Sequence, residues 1–265
     1  MASSLFKAKL SRRGLRKLER TLAPVRKSKA VEMLYRSYLE KMMAQLFNAI
    51  DFEEFGQATG FTADTALPEV ITHTIERLKA IFGGLEIQSS RIAELVVGRA
   101  SSIHEARFVG GIKREMGIDI GHVIRHNPKV AAKVAAMTQQ NVALIKSIPQ
   151  EYIAKVEKTL LKSLTQGSKK SLIEEIQKIH SVTTSKARFI ARDQTAKFNG
   201  ILTEARQTAI GIEEYDWVSS RDGKVRDSHE DKDGKRFRWD SPPADTGHPG
   251  HDPNCRCTAR AVIKL

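Results

Sequence analysis

Apolar side chains return every three or four residues along most of the first 210 positions, and every second residue for a stretch after that. Val31, Leu34, Leu39, Met42 and Leu46 share one face between Val25 and Ile50, the spacing of a helix buried along one side. A second helix is expected from Pro68 to Ile81, stopped by Gly83-Gly84, and a third over 87–110. The stretch GGIKREMGIDIGH is broken by glycines, and helix restarts after Pro128. Ser147 and Gln150 stand at capping-box spacing ahead of Ile153, Val156, Leu160 and Leu164, with Gly167 as the stop. Ser171 and Glu174 repeat the device before a short helix whose Leu172, Ile176 and Ile179 point inward. Thr183 or Thr184 then caps a long helix to Ile210, and Gly211 supplies its left-handed stop. The first 25 residues, polar and basic up to Pro24, predict a weak helix or a mobile arm.

After Gly211 the period shortens to about two. EEYDWV sets Tyr215 and Trp217 against acids, KRFRW alternates Phe237 and Trp239, and Asp222-Gly223 and Asp233-Gly234 are turn signals. A loop rich in proline and glycine runs from Ser241 to Pro253, and CTARAVIKL then places Cys257, Ala259, Ala261 and Ile263 on one side of a final strand. The fold class this predicts is α+β: a mostly helical amino-terminal region, a long helix, and a small carboxy-terminal β module over 211–265.

The long helix carries a second, polar pattern. Arg188, Arg192, Thr195, Asn199 and Arg206 follow one another at steps of four, three, four and seven, which keeps them in one sector of the helix surface. Ala187, Ile190, Phe198, Ile201 and Ala205 occupy another sector and form the core face. Such a stripe is either a solvated face or an anchor for the carboxy-terminal module or a partner.

Charge changes the picture further. The chain has 44 Lys and Arg against 31 Asp and Glu, a net charge of +13, which predicts attraction to a polyanion. The surplus sits in the helical part: residues 1–50 hold twelve basic against three acidic side chains, 101–200 hold seventeen against eight, and 201–265 hold eleven against twelve. Residues 1–130 are therefore expected to form a basic, helical arm and partner-binding region. Such a surplus is either solvated helix faces with a basic tail or a surface that meets double-stranded DNA through its phosphates without sequence preference. No apolar run is long enough for a membrane span, the amino terminus lacks the pattern of a secretory signal, and no glycine-rich phosphate loop is present.

Both cysteines and two of eight histidines lie within HPGHDPNCRC, residues 248–257. A C-x-C pair is too close for an unstrained disulfide, so reduced thiols are expected. Zinc favours thiolate and imidazole donors, and Cys255 and Cys257 with His248 or His251, and His229 from the preceding segment, offer a structural zinc site. Other chemistries fit the same residues. The histidines could cap loop carbonyls while the cysteines pack as small apolar groups; or Asp222, His229, Asp233, His248 and His251 could serve a one-metal nuclease with a histidine base. A cysteine nucleophile lacks the helix amino terminus that would activate it.

Several motifs in a fixed order resemble the carboxy-terminal domain of phage head morphogenesis proteins of the Mu protein F-like family. They are RFIARDQTAKFNG, including Ala191-Arg192-Asp193-Gln194-Thr195 and Asn199; Arg206 and Gly211; Tyr215 and Trp217; Asp222, Val225-Arg226 and His229; Asp233-Gly234; and His248-Pro249-Gly250 with Cys255-Arg256-Cys257. The resemblance covers about residues 131–265, with Trp217, Asp222, Arg226, Asp233 and Gly234 as the signature of the β module. It implies a minor head protein without catalytic residues, associated with the portal inside the procapsid and acting in head assembly, DNA packaging or DNA delivery. Portal protein, scaffold or major capsid protein, and packaged DNA are the partners so implied; the inside of the virion head, and the host cytoplasm during assembly, are the location. The chain ends after its last predicted strand, with no toxin cargo expected. In that frame the C-x-C segment is a structural closure.

Overall fold

The helical pattern resolves into fewer and longer helices than its punctuation suggests. The computed structural model describes residues 19–60, 66–166 and 172–264. Its elements are, in order, β1 (Glu19–Thr21), α1 (Lys29–Asn48), α2 (Phe52–Gly60), α3 (Ala66–Met116), α4 (Gly121–Arg125), α5 (Pro128–Gln166), α6 (Leu172–Ala209), β2 (Glu214–Val218), α7 (Asp227–Glu230), β3 (Arg236–Arg238) and β4 (Thr258–Lys264). This is an α+β fold with long helices and a small antiparallel sheet.

Three expected breaks are not breaks. Helix α3 runs through Gly83-Gly84 and Gly110-Gly111 for 51 residues. Glycine disfavours a helix by only about 1 kcal/mol, which packing along a helix of this length outweighs. The stop comes at Gly117, where the backbone turns to φ +70°. Helix α5 likewise continues past Ser147 with Pro149 inside it, and the Ser147 hydroxyl donates back to the Leu144 carbonyl rather than capping anything. Thr183 does the same toward Ile179, so α6 is one helix of 38 residues. The expected stop at Gly167 and cap at Ser171 lie outside the described residues, as does the arm before Glu19.

The end of α6 follows the sequence reading closely. Gly211 has φ +75°, its N–H bonds to the Thr208 carbonyl, and the Ile212 N–H reaches back to Gln207. Those two bonds are a Schellman motif, and they turn the chain into β2.

The described residues divide into two compact units. One takes 33–60, 66–95, 138–166 and 172–191 and is entirely helical; Tyr35, Leu39, Met43, Leu46, Ile71, Leu78, Ile145 and Tyr152 are buried in it, with the Tyr35 hydroxyl bonded to Asn141. The other takes 19–32, 96–137 and 192–264. These units interleave along the chain and do not follow a cut near residue 130.

The second unit contains the sheet, ordered β1-β4-β2-β3 and antiparallel throughout. Alternation of large and small side chains closes β2 on β4: Tyr215 lies opposite Ala261 and Trp217 opposite Ala259. Two apolar clusters follow. Phe108, Ile112, Met116, Ile120 and Ile124 pack with Leu22, Ile210, Ile212, Ala261 and Ile263, while Tyr215, Trp217, Trp239, Cys255, Cys257 and Ala259 form the other. Strand β1 replaces the helix or arm expected before Pro24. Glu19, Arg20 and Thr21 pair with Lys264, Ile263 and Val262, a long-range pairing that local pattern does not reveal.

Candidate metal centre

The cluster of aromatics around Trp217 encloses the two thiols. Between β2 and β3 the chain does not make the tight hairpin that Asp222-Gly223 suggests; it turns at Asp222, whose oxygens accept the N–H groups of Lys224 and Val225, and enters the one-turn helix α7. Helix α7 turns His229 inward, edge-on to Trp217 with ring centres 5.4 Å apart. The loop after β3 returns Cys255 and Cys257 to the same place. His229 Nδ1 lies 3.5 Å from Cys255 Sγ and 3.6 Å from Cys257 Sγ, and all three residues are buried. The three ligand atoms lie within 4.8 Å of one another.

The surroundings orient this trio. His229 Nε2 is 2.9 Å from a carboxylate oxygen of Asp252, which directs Nδ1 toward the sulfurs. The Gly250 N–H points at Cys255 Sγ from 3.3 Å. A hydrogen bond from the Cys257 thiol, helped by that N–H and opposed by burial, pulls the Cys255 thiol down to about 6; the same pairing, with burial, pushes Cys257 up.

His248 and His251 are not part of the trio. His248 Nδ1 is 2.9 Å from the Tyr215 hydroxyl, and its ring packs on Trp239; burial holds its pKa below the usual histidine value. His251 is half-exposed, with Nε2 3.9 Å from Glu204. Both histidines therefore line the closing loop on the side of Tyr215 and Glu204.

Helix α6 holds that loop down. Asn254, at φ +57°, gives its N–H to Asp193 (2.7 Å) while its side-chain oxygen accepts from Arg192 Nε (3.1 Å). Gly200 meets the loop backbone directly: a Cβ there would lie 2.6 Å from the Pro249 carbonyl oxygen. At the end of α6, Gln207 accepts from Trp239 Nε1 and donates to the Ala259 carbonyl. The polar stripe therefore changes character along its length. Arg188 is exposed and pairs with Glu40, and Arg192 is exposed beside Asn254, whereas Thr195, Asn199 and Arg206 are buried. Asn199 donates to the Val25 carbonyl, and Arg206, 1% exposed, donates to the carbonyl and hydroxyl of Ser101 with Glu105 3.7 Å away.

The signature residues of the β module brace its turns. Asp233 accepts the Ser219 N–H and the Arg221 guanidinium, the first being the main reason its carboxyl sits below the usual range, and Gly234 turns into β3 at φ +77°. Asp222 binds Arg256, and Arg226 reaches the Pro253 carbonyl. Asp252, Asn254, Gln207 and Gly200 were not singled out from sequence; the turn chemistry of Asp252-Pro253-Asn254 is the one local signal that marks any of them.

Beside the sulfurs lies a cleft of about 200 Å³, bordered by Arg26, Lys27, Asn199, Ser219, Ser220, Arg256 and both cysteines. Among the described residues lining it there is no carboxylate and no imidazole. The trio has the donors of a soft-metal site.

Comparison with known proteins finds a family likeness in this part of the chain. Residues 154–260 match the family model described as phage Mu protein F like protein, about two fifths of the chain. The chain is also 35% identical over 253 residues to an uncharacterized protein of Haemophilus influenzae. That alignment takes in 92% of this chain and 56% of the relative, so the chain spans little more than half the relative's length. No solved structure matches.

Proposed function

We propose that this chain, whose residues 154–260 form a Mu F-like module, is a minor head protein of a tailed bacteriophage that associates with the portal inside the procapsid and acts in head assembly, DNA packaging or DNA delivery. The family match is the observation that carries the reading, because it covers the long helix, the β2–β3 excursion, His229 and both cysteines together. The site favours architecture over catalysis. His229 is 2% exposed with one nitrogen on Asp252 and the other toward the thiols, and His248 is engaged by Tyr215, so neither imidazole faces the cleft as a general base. Helix α6 and the loop meet through Gly200, Asp193, Arg192 and Gln207, the construction of a fastened cap.

The charge adds a second element. A net +13, with the surplus outside the β module, suits close contact with DNA, whose phosphates would be neutralised without base readout. No described helix is long and apolar enough to cross a membrane.

Co-expression with the portal protein of the same phage tests the reading: the two should co-purify, and particles made without this chain should be non-infectious. DNA affinity should fall steeply with salt, with the DNA remaining intact. Plasmid cleavage in Mg²⁺, Mn²⁺ or Zn²⁺ that disappears in His229→Ala would replace this reading with the nuclease one.

A further inference from the structure

We propose that His229, Cys255 and Cys257 bind one Zn²⁺ ion, which locks the closing loop onto the β2–β3 excursion. The metric fit comes from the ligand spacing. A tetrahedral zinc with bonds of about 2.05 Å to nitrogen and about 2.3 Å to sulfur requires an N···S edge of about 3.6 Å. The two edges here are 3.5 and 3.6 Å.

The donor set also matches in charge and in support. On binding, Cys255 and Cys257 lose their protons to solvent, so Zn²⁺ and two thiolates sum to zero, a charge state suited to a buried site. His229 coordinates through Nδ1 as neutral imidazole, leaving its Nε2–H to donate to Asp252, the carboxylate–histidine–metal arrangement that fixes a ligand's orientation. The Gly250 N–H donates to the Cys255 sulfur and stabilises the thiolate. Both sulfurs border the cleft, through which the ion would reach them. Cationic Arg26, Lys27 and Arg256 on the cleft wall supply no competing ligand.

The ion links segments 26 residues apart in sequence, from His229 to Cys255, and ties down a loop built of turns rather than apolar packing. This role is independent of the head-protein reading, since the site would load whether or not the chain meets a portal.

Full-length protein purified under reducing conditions should carry one zinc per chain by native mass spectrometry and by elemental analysis. Cobalt exchanged into it should give the visible bands of a tetrahedral ion and a near-ultraviolet thiolate charge-transfer band. Both cysteines should resist a thiol reagent until a chelator is added, and the melting temperature should fall on chelation and recover with zinc. Cys257→Ser should reduce the thiolate band to that of a single sulfur or weaken binding by more than tenfold, while His248→Ala keeps one ion per chain, because His248 lies outside the trio. Should Cys257→Ser fail to fold, wild-type cobalt spectra and thiol protection decide alone. Wild-type protein that takes up no zinc or cobalt from excess and reacts at both thiols equally with and without chelator would overturn the proposal. So would loss of the metal in His248→Ala with the fold retained.

Discussion

Replacing Gly200 with alanine should destabilise the protein even though alanine is the better helix former. In the interior of an exposed helix the exchange gains up to about 1 kcal/mol. At Gly200, however, the new Cβ would sit 2.6 Å from the Pro249 carbonyl oxygen and 3.4 Å from the Gly250 Cα. Both atoms are backbone, so no side chain can swing aside. Gly250 cannot easily retreat, because it holds φ +93° and lies as close to α6 from its own side, with the Ala196 carbonyl oxygen 3.2 Å from where its Cβ would be. Forcing a methyl group into such a contact costs about 1–3 kcal/mol, and a 2.6 Å approach to backbone belongs at the upper end, which leaves a net loss of about 2 kcal/mol after the helix gain. For a chain of this size each kcal/mol moves the melting temperature by roughly 2–4 °C. Gly98→Ala is the internal control: Gly98 is exposed in α3, and an added Cβ there meets nothing within 4 Å. Thermal melts followed by circular dichroism should show Gly98→Ala rising slightly and Gly200→Ala falling by several degrees. A Gly200→Ala protein that melts at or above wild type, beside a stabilised Gly98→Ala, would mean that the closing loop does not rest on α6.

Three other outcomes follow from buried charge and from surface pairing. His104 is buried against Thr203 (2.9 Å), and burial, reinforced by Arg206, holds its pKa well below the ordinary 6.5. Above pH 6.5 it is neutral folded or unfolded; as pH falls below that, only the unfolded chain takes up the proton, so wild type should lose stability with a slope up to about 1.4 kcal/mol per pH unit greater than His104→Gln. Urea titrations at pH 7.5 and 5.5 measure the difference, and equal slopes refute it. Arg206→Met should cost about 1–2 kcal/mol, because it removes the bonds to the Ser101 carbonyl and hydroxyl and leaves Glu105 only the more distant Arg125; an unchanged urea midpoint would contradict this. The pair Arg236–Glu19, at 2.6 and 2.7 Å but two-fifths exposed, should couple by less than about 1 kcal/mol in a double-mutant cycle, and less again in high salt.

The parts of this fold that were legible in the sequence are those written in local chemistry. Gly211 was readable because a left-handed stop needs glycine, and β2 because Tyr215 and Trp217 alternate with acids. His229, Cys255 and Cys257 were readable as candidate ligands by residue type alone, but the partition among histidines was not: His248 and His251 are nearer in sequence to the cysteines, yet His248 is claimed by Tyr215. Caps and stops misled where tertiary packing outweighs them, as at Gly83-Gly84, Ser147 and Thr183, whose hydroxyls find a carbonyl inside the helix instead of a free N–H at its start. The stripe on α6 shows a third limit. Its positions repeat along one sector, but burial depends on what lies across from each of them, so Arg188 is exposed and Arg206 is not.

The stretch that matches the family is not the stretch that closes the sheet. Residues 154–260 contain β2 and β3 and only the first three residues of β4. The rest of β4 contributes Ala261 and Ile263 to an apolar cluster whose other members include Leu22, Phe108, Ile112, Met116, Ile120 and Ile124, all outside the match. Strand β1, from Glu19 to Thr21, covers the free edge of β4, and Leu22 extends that pairing with an N–H to the Ala261 carbonyl. A fragment cut to the matching residues would keep only Thr258, Ala259 and Arg260 of β4 and only Ile210 and Ile212 of that cluster, leaving Glu214 and Tyr215 of β2 without their β4 partners, conditions that favour association over folding. The recognisable motifs of the β module thus rest on a frame drawn from residues 19–32 and 96–137 as well.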